Sequence, residues 1–151
     1  MSVVATVQNG IIAASIEIAA PPDAVFRAIS SPEITKWWGA DDMYRVTEWK
    51  GDVRPGGAWQ ADTRAAGGGP EMIVRGKFLV VEPPRVLEHT WEPSWENYMS
   101  TTVRYTLTPT KTGTLVEVRH SGFAEAATAG RDHAEGWKRV LGWLAEHFTT
   151  M

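Results

Sequence analysis

The side chains of this chain best suited to moving a proton or holding a metal at neutral pH are its four histidines, His89, His120, His133 and His147. No pair has metal-ligand spacing. His133 and His147 lie fourteen residues apart and neither belongs to an H-x-x-x-H or H-E-x-x-H unit, so no metal site is expected and no cofactor is called for. With no cysteine, disulfides, thiolate metal sites and cysteine nucleophiles are excluded. Asp132-His133 beside Glu135 gathers an acid and a base, but at the start of a helical pattern it reads as a capped, solvated first turn. Ser94, Ser100 and Ser121 sit in or near loops, and none lies in a G-x-S-x-G elbow. Gly67-Gly68-Gly69-Pro70 lacks the G-K-[ST] ending of a phosphate loop, and Asp41-Asp42 after Gly39 reads as a solvated turn.

What remains for chemistry depends on which side chains the strands turn inward. In Leu87-Glu88-His89-Thr90-Trp91-Glu92 the two glutamates mark the solvent face, which puts His89 inside with Leu87 and Trp91. By the same alternation Val103, Tyr105 and Leu107 face in opposite Arg104, and Val116, Val118 and His120 face in opposite Glu117 and Arg119. Trp59 faces in opposite Gln60 and Asp62. Met72, Val74 and Phe78 do so less firmly, because Gly76 could host a bulge that changes parity. The inner wall is thus apolar and aromatic with three polar heads, His89, Tyr105 and His120, as a small-molecule site would be. Beside that stands the structural alternative, in which each head has one ordinary buried partner.

The elements that hold this wall are short. Strands are expected over 11–19, 44–53, 59–64, 72–81, 86–91, 101–108 and 115–120, parted by Asn9-Gly10, Arg54-Pro55-Gly56-Gly57, Pro83-Pro84 and Lys111-Thr112-Gly113 turn chemistry. Pro21-Pro22-Asp23 starts a short helix with Ala24, Val25, Ala28 and Ile29 on its apolar face, and a second runs from Pro32 to Trp37. Residues 121–130 connect the last strand to one long helix over 133–148. There Trp137, Val140, Leu141, Leu144 and Phe148 recur at i, i+3, i+4, i+7 and i+11, with Glu135, Lys138, Arg139 and Glu146 opposite. Strands in a run with helices at the ends imply an α+β fold: an antiparallel sheet lying on that helix. Adjacent Trp37 and Trp38 cannot share one helix face, so one packs the core and the other is expected at a cavity mouth or interface. Trp95, in a polar loop, and Trp143, off the helix stripe, are candidates for exposure.

Composition narrows the partners. At 151 residues the chain is expected to form a single domain over 1–151, large enough to bury about 68–70% of its unfolded surface. A net charge of −3 gives no basic footprint for nucleic acid or an anionic membrane. No apolar run approaches the ~20 residues of a membrane span, and the first residues lack the basic and hydrophobic regions of a signal peptide, so a cytoplasmic location is expected. Eight tryptophans are several times the usual complement, and large rings line pockets as well as filling cores.

Several motifs fall in a familiar order: Ala20-Pro21-Pro22-Asp23-Ala24-Val25-Phe26, Trp37-Trp38-Gly39 and Asp52-Val53-Arg54-Pro55-Gly56-Gly57-Ala58-Trp59 in the front half. Gly76-Lys77-Phe78, Glu82-Pro83-Pro84-Arg85-Val86-Leu87, Gly113-Thr114-Leu115, His120-Ser121-Gly122-Phe123 and His133-Ala134-Glu135-Gly136-Trp137 follow in the back half. As a set, over about 11–148, they resemble the activator of heat-shock-protein-90 ATPase homologue family, within the START-like, birch-pollen-allergen-like (SRPBCC) superfamily. The resemblance implies a helix-grip fold: a curved antiparallel sheet wrapped around a long C-terminal helix, two short helices closing one end, and a hydrophobic cavity between. The longer eukaryotic cochaperones of this kind carry an extra N-terminal domain; this chain starts at the grip, so ATPase activation is not the expected function.

Three functions follow. The first is binding of a small hydrophobic molecule, aromatic, lipid or polyketide-like, between helix and sheet. Its expected contacts are Trp37, Trp38, Trp59, Phe78, His89, Trp91, Val103, Tyr105, His120, Phe123, Trp137, Val140, Leu141 and Leu144. The second is a cyclase or dehydratase using His89, His120 or Tyr105. The third is an interaction module for a chaperone or other protein through Trp95 and Trp143. Homodimerisation through an exposed sheet or helix surface is compatible with each. An open cavity would favour the first two; a core packed solid by its own tryptophans would favour the third.

Overall fold

The computed structural model describes residues 3–8, 10–123 and 127–149, with the side chains of 127–132 outside that description. The described residues form nine strands: β1 Val4–Gln8, β2 Ile11–Ile18, β3 Gly39–Ala40, β4 Tyr44–Gly51, β5 Ala58–Ala65, β6 Glu71–Glu82, β7 Val86–Pro93, β8 Thr101–Pro109 and β9 Thr114–Ser121. They make one antiparallel sheet in the order β1-β2-β9-β8-β7-β6-β5-β4-β3. The helices are α1 Pro22–Ile29, α2 Ile34–Trp37 and α3 Ala127–Thr149, and a 3-10 turn, Ser94–Glu96, follows β7. This is the α+β helix grip.

The alternation of the strands places the side chains as their pattern dictates. Leu87, His89, Val103, Tyr105, Leu107, Val116, Val118 and His120 are all buried, with Phe78, Val74 and Trp59 beside them. Pro22 at the first turn of α1 and Asp23 beside it suit the unsatisfied N–H groups and positive end there. Val25, Phe26, Ala28 and Ile29 are its buried residues.

Four features depart from the sequence expectation. Strand β1 precedes the Gly10 turn, pairing with β2 from Val4↔Ser15 to Gln8↔Ile11. Its side chains alternate between exposed and half-buried, with Val4 58% exposed, so it carries little apolar signal; Asn9 lies outside the described residues. Helix α3 begins at Ala127, well before 133. Asp132 therefore falls inside the helix rather than at its cap, its side chain outside the described residues, as are residues 124–126 of the connection. Gly76 hosts no bulge, since β5 and β6 stay in register through Trp59↔Gly76; the irregularity falls between Phe78 and Val80, leaving Leu79 exposed. Gly76 is needed for space instead. A Cβ there would collide with the Thr90 carbonyl and press on Trp59 Nε1. At the β4–β5 turn only Gly56 has positive φ, whereas Gly57 is a glycine because a Cβ would strike the Asp52 carbonyl.

Trp137, Val140, Leu141 and Leu144 of α3 are buried, Leu141 and Leu144 completely, each such side chain contributing about 1.5–3 kcal/mol. Phe148 packs half-buried against the same core. Two imidazole–carboxylate pairs fasten the helix at its ends. His133 Nε2 donates to Glu96 Oε1 (3.0 Å) on the 3-10 turn, and His147 Nε2 to Glu33 Oε2 (2.9 Å) beside α2.

Candidate functional site

Sheet and helix do not close on each other completely. Between them lies a cavity of about 530 Å³, within the range of small-molecule sites. Trp38, Trp59, Phe78, His89, Trp91, Tyr105, His120, Trp137 and Val140 line it. The remaining five expected contacts pack elsewhere in the core: Trp37, Val103, Phe123, Leu141 and Leu144 are buried off the cavity wall. Trp37 and Trp38 divide their labour as adjacent rings must. Trp37 Nε1 donates to the Ala28 carbonyl (2.9 Å), whereas Trp38 faces the cavity, stacks on Trp91 (6.0 Å, 18°) and donates to the Tyr44 hydroxyl (3.2 Å). Trp143 is packed edge-on against Tyr44, and Trp95 is 46% exposed at the cavity rim.

Sequence reasoning missed one wall and the mouth. Trp49, Val46, Ala61 and Thr63, from β4 and β5, line the stretch of wall beyond β6 in the sheet order, beside Met72 of β6, whose inward turn the alternation had given. Glu96 and Arg139 bring charge, and His133 an imidazole, to a largely apolar lining. The Ala61 and Thr63 positions were readable from their alternation with Gln60, Asp62 and Arg64. Gly136, costly inside a helix, has nothing within 4 Å of where a Cβ would stand and borders the cavity.

The three polar heads are not equivalent. His120 is 1% exposed and both its nitrogens are occupied. Trp137 Nε1 can only donate, and does so to Nδ1 (3.1 Å). The proton of the neutral ring is therefore on Nε2, which donates to Thr101 Oγ1 (2.7 Å), and that hydroxyl continues to the Trp91 carbonyl (3.3 Å). Desolvation, then the nearby His133 and His89, push its pKa down to about 2. His89 is 8% exposed and donates from Nδ1 to the Thr90 carbonyl (2.9 Å), which leaves the Nε2 lone pair without a hydrogen-bond partner among the described residues. Burial lowers its pKa to about 4, against smaller raising effects of that hydrogen bond and of Glu88. Tyr105 is 2% exposed, and burial alone raises its pKa well above the ordinary phenol value. Two indole N–H groups, of Trp59 and Trp91, are buried without a partner among the described residues, that of Trp59 close against Gly76. No group of three or more His, Asp or Glu able to hold a metal occurs among the described residues.

A sheet gripping a long C-terminal helix over a central cavity defines a START-like domain. The sequence matches the family described as Activator of Hsp90 ATPase homolog 1-like protein over residues 19–149, and the chain belongs to that family. No curated protein matches it. Among solved structures, a Rhodobacter sphaeroides protein is 20% identical, with 100% of each chain covered and a TM-score of 0.86. The AHSA1-like protein from Aeromonas hydrophila is 20% identical over 93% of this chain and 92% of its own, with a TM-score of 0.80. DynU16, a protein of the dynemicin biosynthetic locus, is 20% identical over 95% of this chain and 48% of its own, with a TM-score of 0.77. At these identities the likeness is one of fold.

Proposed function

We propose that this protein binds a small hydrophobic molecule, aromatic, lipid or polyketide-like, in the cavity between the sheet and α3. The observation that carries this is the open volume of about 530 Å³ with Trp38, Trp49, Trp59, Trp91, Trp95 and Trp137 on its wall. Six of the eight tryptophans border a space they could have filled. A void lined this way offers flat apolar faces to a flat apolar ligand.

The cyclase or dehydratase alternative has less support. His120 has no free nitrogen to act with. A base near pKa 4 at His89 and a phenol raised at Tyr105 are both poorly matched to proton transfer at neutral pH. The interaction-module alternative rests on the exposed ring of Trp95 alone, since Trp143 is half-buried. We take the chain as one domain acting in the cytoplasm; among the described residues no helix is long and apolar enough to cross a membrane.

Titration with aromatic, polyketide-like and fatty-acid compounds, followed by tryptophan fluorescence and thermal unfolding, tests the proposal. A saturable change with a raised melting temperature, weakened in Trp137→Ala, is the expected result, because a ligand at a hundred times its Kd adds about 2.7 kcal/mol of stability. Silence across the panel in both measurements would overturn it and shift weight to a protein partner at Trp95.

A further inference from the structure

Two of the polar heads that line the cavity belong to residues more than nine-tenths buried, yet each ends without a hydrogen-bond partner among the described residues. The Tyr105 hydroxyl has no hydrogen-bond partner among the described residues, and neither has Nε2 of His89, whose proton is committed on Nδ1 to the Thr90 carbonyl. Neither atom is sealed in the core, where, among the described residues, the indole N–H groups of Trp59 and Trp91 are the ones left without a partner; both heads stand at the cavity wall, where a bound molecule can pair with them. Here the two come together. The β7–β8 register sets Leu87 opposite Tyr105 and His89 opposite Val103, so His89 and Tyr105 are diagonal neighbours on one face, with ring centroids 6.1 Å apart. One can donate from oxygen; the other, as a neutral ring, can only accept at Nε2. His120 on the next strand but one shows what a purely structural imidazole looks like in the same fold, with both nitrogens bonded.

We propose that His89 and Tyr105 form a recognition pair for an uncharged group that both donates and accepts a hydrogen bond, a phenol-type hydroxyl or a primary amide, borne on an aromatic body. The proposal rests on the binding function above and names the ligand class for that same cavity. A ketone would satisfy Tyr105 alone, and a bare N–H would satisfy His89 alone. A charged group would be desolvated against this apolar part of the wall; Glu96 and Arg139, which also line the cavity, belong to the 3-10 turn and α3 and not to the strands that carry this pair. The neutral state of His89 and the protonated state of Tyr105 both persist at pH 7.

Calorimetric titration at pH 7.5 with naphthalene, 2-naphthol, 2-naphthamide and 2-naphthoate, on the unaltered protein, Tyr105→Phe and His89→Leu, tests this. At least one of the two neutral polar probes should bind about tenfold tighter than naphthalene, and naphthoate no tighter than naphthalene. Tyr105→Phe removes one oxygen, so it should erase most of that advantage while leaving naphthalene affinity unchanged, with an unaltered circular-dichroism spectrum. His89→Leu should act alike. A gain for naphthol only assigns the hydroxyl; a gain for naphthamide only assigns the amide. Equal binding of naphthalene and both neutral polar probes, tightest binding of naphthoate, or an advantage that survives Tyr105→Phe would overturn the proposal while leaving the binding function intact. Binding of none of the four would remove the binding function itself, and this pair's role with it.

Discussion

His89 and His120 look into the same cavity from β7 and β9, with β8 between them, and they have opposite surroundings. His120 is the middle of a chain of hydrogen bonds running from Trp137 on the helix through the imidazole to Thr101 and the Trp91 carbonyl. Every polar atom in it is used, and the chain ties α3 to the β8 end of the sheet. His89 spends one nitrogen locally and leaves the other unspent beside an unspent phenol. A buried histidine is thus not one kind of evidence. Closed, it braces the fold; open, it presents a polar head to the cavity.

The comparison can be broken by removing each ring in turn. His120→Ala should be the most damaging change, about 3–5 kcal/mol in urea unfolding, because it vacates a packed site and strands the Trp137 N–H and the Thr101 hydroxyl. A loss under about 1 kcal/mol would mean that the chain of bonds holds little together.

Acid should then weaken the fold through both rings. The unfolded chain's histidines take up protons near pH 6.5, whereas folded His89 resists to about 4 and folded His120 to about 2. Below pH 6.5 the unfolded state therefore binds more protons and stability falls, and above it neither ring contributes. Each should add up to about 1.4 kcal/mol per pH unit between 6.5 and 4. Stability followed from pH 7.5 to 4.5 should thus fall less steeply in His89→Leu than in the unaltered protein; parallel curves would contradict a neutral buried His89.

Smaller effects are expected at the helix ends. Glu33→Gln and Glu96→Gln each break a half-buried pair with a histidine, and each should cost under about 1 kcal/mol, or roughly 2–4 °C in Tm. Only Glu96 lines the cavity, so only its substitution should also alter ligand binding. Smallest of all is Tyr105→Phe without ligand. Losing a hydroxyl that has no hydrogen-bond partner among the described residues should leave Tm unchanged or raise it slightly, by about 0.5 kcal/mol of stability at most. A clear loss would show that the hydroxyl already has a structural partner.

Much of this was legible in the sequence for reasons that particular residues make plain. Strands β7, β8 and β9 alternate charged and apolar side chains, so the inward turn of His89, Tyr105 and His120 could be read directly. Strand β4 could not be read that way. Its register slips between Val46 and Glu48, which brings Val46 and Trp49 to the same buried side at a spacing of three. The start of α3 was hidden because 124–132, AEAATAGRD, has almost no large apolar residue to set a period and includes Gly130. The mouth was hidden because His133 and Glu96 are far apart in the chain.

Periodicity, turn residues and the helix stripe determined the α+β layout and the composition of its inner wall, since these depend on local spacing and on which face must leave water, while the ordered motifs carried the resemblance to the family and its helix grip. Only the tertiary structure decided that the wall encloses open space, and which imidazole nitrogen meets a donor. Both depend on contacts such as Trp137 with His120 and Thr101 with His120, made by residues brought together from separate elements. A pattern read along one strand says which way a side chain points; what it finds there is set by the packing of all the others.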